Sequence, residues 1–219
     1  MAFGKIWTYP NNIRVHRVQI IAKMNGLELE FPEFTMRETN TTEEFKAKFP
    51  LGKVPAFESA DGLCLSESIA IATYAARSGP AANQLLGADP KTEALISQWV
   101  SFAECEIWNG VFPPLAMSVM KFMPLDEQRF DSCISATERC FKRLEVALQG
   151  GKKYLVGDKL TMADLFVTSM FWFSFKYIVD AEMRKELPNV VAYAKSFAEK
   201  PEFKELYGEL EMCETRLKA

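Results

Sequence analysis

Apolar and polar residues alternate in two rhythms along this chain, and the change between them divides it. Up to residue 79, short strand-like runs alternate with helical ones. Lys5 to Thr8 predicts a brief strand, stopped by the turn signal Tyr9-Pro10-Asn11-Asn12. Val15, Val18, Ile21 and Ala22 then recur at helical spacing over 13–25, and Asn25-Gly26 supplies a C-terminal stop. LELEFPEF (27–34) alternates as a strand does. TTEEFKAKF (41–49) predicts a short threonine-capped helix ended by Pro50. Val54–Phe57 and Leu63–Leu65 read as two short strands, and a helix begins within Ser66-Glu67-Ser68. The order β-α-β-α-β-β-α describes a small sheet with helices packed on it.

After this the rhythm becomes wholly helical. SGPAANQLLGADP (78–90) is rich in Gly, Pro, Ala and Asn, and 80–88 reads as a linker. Leu95, Trp99, Phe102, Ala103 and Ile107 share one face of a helix predicted over 91–112, and a second amphipathic helix runs from Asp126 to Leu148. Residues 160–178 are apolar nearly all round, which predicts a helix buried inside a bundle. Residues 189–206 supply the last helices. The expected domains are an α/β unit over 1–79 and an all-α unit over 89–219. Thr161-Met162-Ala163-Asp164 forms a capping box before the most apolar helix, where each unmet buried amide would cost about 1–3 kcal/mol. Asp164 is read as structural, in preference to a catalytic acid.

Composition narrows the chemistry. The 219 residues are 48% hydrophobic and 25% charged with a net charge of −3, ordinary values for a soluble globular protein. That balance argues against nucleic acid or an anionic membrane as the main partner. No apolar run is long enough to span a membrane, and the first ten residues lack a secretory leader pattern, so a cytoplasmic location is expected. Five cysteines without a Cys-x-x-Cys spacing fit reduced thiols. The single histidine, His16, supports neither a histidine metal site nor a Ser-His-Asp triad, and no metal is expected.

Four stretches, in this order and spacing, carry a resemblance: FPLGKVPAF (49–57), LSESIAI (65–71), YLVGDKLTMADL (154–165) and LPNVVAYAKSFAEKPEFKE (187–205). Over essentially its full length the chain resembles the cytosolic glutathione transferases. GKIWTYPNNIRVHRV, FPLGKVPAFE and LLGADPKTEALISQWVSFAECEI make it most similar to the transferase domain of the gamma subunit of translation elongation factor 1B. The resemblance implies a thioredoxin-like N-terminal domain that binds glutathione. It implies an all-α helical-bundle C-terminal domain that supplies most of the electrophile pocket, and a homodimer. The implied activity is detoxifying: glutathione, as co-substrate and with no further cofactor, is joined to a small hydrophobic electrophile, and peroxide reduction is a second activity. The alternative it implies is a scaffold domain that binds protein partners, the elongation factor 1B subunits among them, with little catalysis.

Site residues follow from the same resemblance. It implies a cis Pro55, so that Val54 turns its amide and carbonyl to the cysteinyl backbone of glutathione. It places the γ-glutamyl carboxylate on Ser68 and the first amides of its helix, and the ammonium group on Glu67. Lys53, with Arg37 as a second cation, pairs the glycyl carboxylate. Plainer roles stand beside these: Ser66 as an N-cap, Glu67 as a first-turn acid and Lys53 as a solvated turn residue. The sulfur activator departs from the family pattern of a strand-end tyrosine, or a serine or cysteine before the first helix. Strand alternation puts Thr8 at the tyrosine position, and Asn12 and Ile13 fall near the other. The candidates are the Asn12 amide, the Arg14 charge and the Tyr9 phenol, against a helix cap for Asn12 and a solvated arginine for Arg14. Trp7, Tyr9, Trp108, Phe112 and Met117 are the candidate electrophile walls. The last three lie in IWNGVFPPLAMSVMKFM, a Met- and aromatic-rich stretch at a helix end expected to break at its prolines.

Overall fold

The sheet of the N-terminal region has four strands, β1 (Gly4–Trp7), β2 (Leu29–Glu30), β3 (Ala56–Ser59) and β4 (Cys64–Leu65), in the order β2-β1-β3-β4. The computed structural model describes residues 2–219, which divide into a unit ending at Ala88 and a second over Asp89–Ala219. β1 and β2 are parallel, so helix α1 (Ile13–Asn25) makes the crossover between them, while β3 and β4 join antiparallel. Pleat alternation sends Ile6 into a fully buried position and Trp7 to the opposite face. There Trp7 meets Phe45 of α2 (Glu43–Lys48) and Phe49, with ring centroids 6.1 and 5.8 Å away. α1 packs on α3 (Ser68–Arg77), and the buried Asn25 amide ties them by donating to the Ala75 carbonyl at 3.0 Å.

Two expectations change in this unit. The strand predicted over 27–34 shrinks to Leu29–Glu30, because Pro32 has no amide to offer and pairing with β1 ends at Glu30. The 80–88 segment is not a linker. It carries helix α4 (Ala82–Leu86), whose Leu85 is fully buried, and Asn25 accepts from the Ala81 amide at 2.8 Å. Its glycine and proline content reflects tight entry and exit, with Gly87 at φ 100°, rather than slack.

The second unit is all helical. α5 (Pro90–Phe102) starts on Asp89, whose carboxylate accepts the Lys91 and Thr92 amides. It continues through a π-helical turn (Ala103–Ile107), α6 (Trp108–Pro114) and a second π-helical turn (Leu115–Val119). The helix expected to break at Pro113-Pro114 therefore runs on. Pro113 cannot donate to the Asn109 carbonyl, which accepts from Cys133 Sγ of α7 (Glu127–Ala147) at 3.6 Å instead. The apolar stretch divides at Met170 into α8 (Met162–Ser169) and α9 (Phe171–Tyr177), and every residue of α8 is buried. α10 (Ala181–Lys185), α11 (Pro188–Ala198) and α12 (Pro201–Tyr207) complete the unit. The capping box before α8 forms. Asp164 accepts from the Leu155 amide (2.8 Å), the Thr161 amide (2.8 Å), the Thr161 hydroxyl (3.1 Å) and the Tyr193 hydroxyl (2.7 Å), which is the structural role expected for it.

Candidate functional site

Strand register gathers the candidate residues of the first unit at one end of the sheet. Trp7 pairs with Ala56, so extending that ladder brings Thr8 and Tyr9 level with Pro55 and Val54. Phe57 pairs with Leu65, so the chain leaves β4 for α3 at the end of the sheet where β3 begins. The Val54–Pro55 bond is cis, and Val54 lies outside the β1–β3 pairing, which leaves its amide and carbonyl unused by the ladder. Among the described residues this is the cis bond expected from the sequence.

The N-cap of α3 is Glu67, not Ser66, and its side chain makes no capping bond. Its backbone adopts φ 67°, ψ 118°, a conformation costing a non-glycine residue about 1–3 kcal/mol that clusters at ligand sites. The first bond within the helix runs from the Ile71 amide to the Glu67 carbonyl, so the amides of Ser68, Ile69 and Ala70 stand ahead of it. Ser68 is only 7% exposed, and its hydroxyl bonds no other described residue. An anion meets three amides, a hydroxyl and the positive end of a ten-residue helix there.

Asn40 joins the two candidate cations' loops, a connection the sequence reading missed. Its Oδ1 accepts from the Arg37 amide at 2.6 Å, and its Nδ2 donates to the Gly52 carbonyl at 2.7 Å, one residue before Lys53. Gly52 has φ 58°, and a Cβ there would lie 2.8 Å from the Asn40 carbonyl oxygen, so only glycine permits this approach. Both Arg37 and Lys53 are exposed. The signal was present in Leu51-Gly52-Lys53, but Asn40's part depends on tertiary contact.

The activator candidates behave differently. Asn12 is the N-cap of α1: Oδ1 accepts the Arg14 amide at 3.1 Å and Nδ2 donates to Thr8 Oγ1 at 3.1 Å. The Thr8 hydroxyl itself donates to the Tyr9 carbonyl at 3.1 Å. Tyr9 is 40% exposed; packing around its ring raises the phenol's pKa, opposed by the Arg14 charge, so it stays a neutral donor. Of the candidate electrophile walls, Trp7 is absorbed into the first unit's aromatic core and Met117 is buried in the second. Trp108 and Phe112 stack with centroids 4.7 Å apart and planes 19° from parallel.

The family model for the glutathione S-transferase N-terminal domain matches residues 2–77, and that for the C-terminal domain matches residues 110–201. The chain belongs to the glutathione S-transferase family. This transferase-family chain is 43% identical to the glutathione S-transferase-like protein LUC7 of a Fusarium species, over 94% of this chain and 93% of that protein. It is 34% identical to elongation factor 1-gamma of Danio rerio, matching 98% of this chain but 48% of that longer protein. Among solved structures it is similar to the glutathione S-transferase-like domain of elongation factor 1-gamma from Saccharomyces cerevisiae, at TM-score 0.83 and 25% identity, covering 100% of this chain and 99% of that one. The thioredoxin-like unit followed by a helical unit is the transferase fold.

Proposed function

We propose that this chain is a glutathione transferase that anchors the tripeptide on its first unit and joins the sulfur to a hydrophobic electrophile. The carrying observation is the start of α3, where a strained Glu67 without a capping bond precedes a buried Ser68, together with the cis Val54–Pro55 bond just before β3, the strand that pairs with β4. In this reading Ser68 and the helix amides hold the γ-glutamyl carboxylate, Glu67 meets the ammonium group and Val54 pairs the cysteinyl backbone. Lys53 and Arg37 take the glycyl carboxylate. The thiol releases its proton, the sulfur forms a bond to an electrophilic carbon, and that carbon expels its leaving group or passes the electron pair to a protonated site. Lowering a thiol pKa by about two units needs about 2.7 kcal/mol of preferential thiolate stabilisation. The N-terminal end of α1, the second amide hydrogen of Asn12, the Arg14 charge and the Tyr9 phenol are the groups assigned to it.

A cytoplasmic homodimer completes this reading, supported by the exposed apolar side chains Leu51, Leu63 and Ile69 on the first unit. The second reading is a scaffold that docks elongation factor subunits. It is favoured by the engagement of both Thr8 and Asn12 in local bonds at the positions where the family places its activators. Glutathione-dependent turnover of aryl halides, isothiocyanates and hydroperoxides separates the two: the transferase reading expects turnover of at least one class, and glutathione binding without any turnover favours the scaffold.

A further inference from the structure

The sheet has a second end, away from Thr8, Val54 and Glu67, and a polar cleft of about 420 Å³ opens there. It lies where β1 begins and β3 ends, since Gly4 pairs with Leu29 on one side and with Ser59 on the other. Lys5, Glu30, Glu58 and Lys48 stand around it, one charge from each of β1, β2, β3 and α2. The rest of its lining is small, with Ala2, Ala60 and Gly62 beside Gly4 and Ser59. Strand register sets the charges in alternating order. Lys5 sits opposite Glu30 of β2 and Glu58 of β3, and Lys48 of α2 reaches over to Glu58.

The two ion pairs of this row are unequal. Lys48 Nζ meets both Glu58 oxygens at 2.9 Å, so Glu58 is satisfied. Lys5 Nζ reaches one Glu30 oxygen at 3.9 Å, and both side chains are more than half exposed. That separation is beyond hydrogen-bond reach, and an exposed pair of this kind contributes little. Lys5 and Glu30 are thus an adjacent positive and negative group that a guest can part at little cost. The frame around them is fixed by backbone bonds. The Phe3 amide donates to the Glu28 carbonyl at 2.7 Å, and the Phe3 carbonyl accepts the Ala60 amide at 3.2 Å. After β3, the buried Ser59 hydroxyl donates to the Asp61 carboxylate and accepts the Leu63 amide at 2.9 Å. A preformed wall with two weakly held, opposite charges suits a ligand that pairs with both.

We propose that this cleft binds a free neutral α-amino acid, with its carboxylate on Lys5 and its ammonium group on Glu30. The walls carry two charges of each sign, so an ion of one sign meets as much repulsion as attraction. A zwitterion can set each of its charges against the opposite one. Placed head to tail against Lys5 and Glu30, it replaces one long contact with two charge-assisted hydrogen bonds. The volume is within the range of small-molecule sites and exceeds what the charged head alone needs. The small lining at Ala2, Ala60 and Gly62 leaves room for an apolar side chain. Because the cleft is at the sheet end opposite the start of α3, the inference stands apart from the transferase reading.

The test follows backbone amide shifts of the isotope-labelled whole protein during titration with L-leucine. Two analogues each lack one charge: isopentylamine has no carboxylate, and isocaproate has no ammonium group. L-leucine is expected to bind about tenfold more tightly than either, the worth of one hydrogen bond to a charged group, with shifts at Gly4, Lys5, Glu30 and Ala60. Lys5→Gln and Glu30→Gln, both at exposed positions, are each expected to remove that advantage. The double exchange of Lys5→Glu with Glu30→Lys restores it, because the zwitterion can turn round, and Lys185→Gln on α10 leaves it intact. Absence of a saturable shift, equal binding of the analogues, or an advantage that survives both single substitutions overturns the proposal. So do shifts that fall on α3 and vanish in saturating glutathione, which assign leucine to the γ-glutamyl place there. Glutathione affinity of the native protein is measured alongside. Its absence with the leucine shifts intact defeats the transferase reading and leaves the cleft standing.

Discussion

Two helices of this protein start in opposite ways. At α8 the capping box closes from within: the Asp164 carboxylate takes two backbone amides and two hydroxyls, and the residue is fully buried. At α3 the N-cap is a strained glutamate without a capping bond, followed by a buried serine whose hydroxyl has no partner among the described residues. Both carry an acidic residue near the start, and in the sequence both read as capping signals. The lesson is that a self-satisfied helix start serves the fold, whereas one left open at a cost in free energy is available to an anion.

The largest way to break this comparison is Asp164→Ala. It leaves four donors unanswered, three of them buried, and at about 1–3 kcal/mol for each buried one, with some relief from entering water, it should lower the unfolding free energy by about 4 kcal/mol. Chemical denaturation measures this; a loss near 1 kcal/mol would show that the box is dispensable. Acid separates the regions next. Burial pulls His16 on α1 down to about 4 from about 6.5, so its neutral form stabilises the fold fully above pH 6.5 and this is lost as pH falls towards 4. Discounted for residual solvent access, that amounts to about 2 kcal/mol, and His16→Gln should flatten the pH dependence of stability in this window. Asp164 has the opposite sign: burial raises its pKa, so falling pH takes no stability from it.

Glu67→Gly is the smaller and sharper test. Glycine accepts a positive φ, so the variant should be more stable by about 1 kcal/mol while binding glutathione more weakly, because the ammonium partner is gone. A variant that loses stability would mean that Glu67 supports the fold in some other way. Smallest of all, Asn12→Ala should raise the pKa of bound glutathione thiol by less than about one unit, roughly 1 kcal/mol, read by ultraviolet titration of the thiolate. No change would confine Asn12 to capping α1.

Much of this was legible in the residues. The order of strands and helices, the capping box and the burial of α8 follow from local pattern, and the cis Pro55 from the family resemblance that the motifs around Leu51–Ile71 carry. What escaped depends on contacts distant in sequence. The 80–88 segment resembles a linker until Asn25, 56 residues earlier, accepts the Ala81 amide. Pro113 resembles a helix end until Cys133 serves the carbonyl it strands. That half-buried Trp7 packs on Phe45 and Phe49 shows only in the fold. Asn40 had no local signal at all, and its bridge to Gly52 is visible only in the fold.

The central claim is that the open start of α3 holds glutathione, and titration calorimetry of the native protein and Ser68→Ala tests it most directly. The account predicts saturable binding at one glutathione per chain, weakened in Ser68→Ala by about 1–3 kcal/mol, the worth of a hydrogen bond to a charged group. Absence of binding to the native protein, or an affinity unchanged in Ser68→Ala, would contradict it.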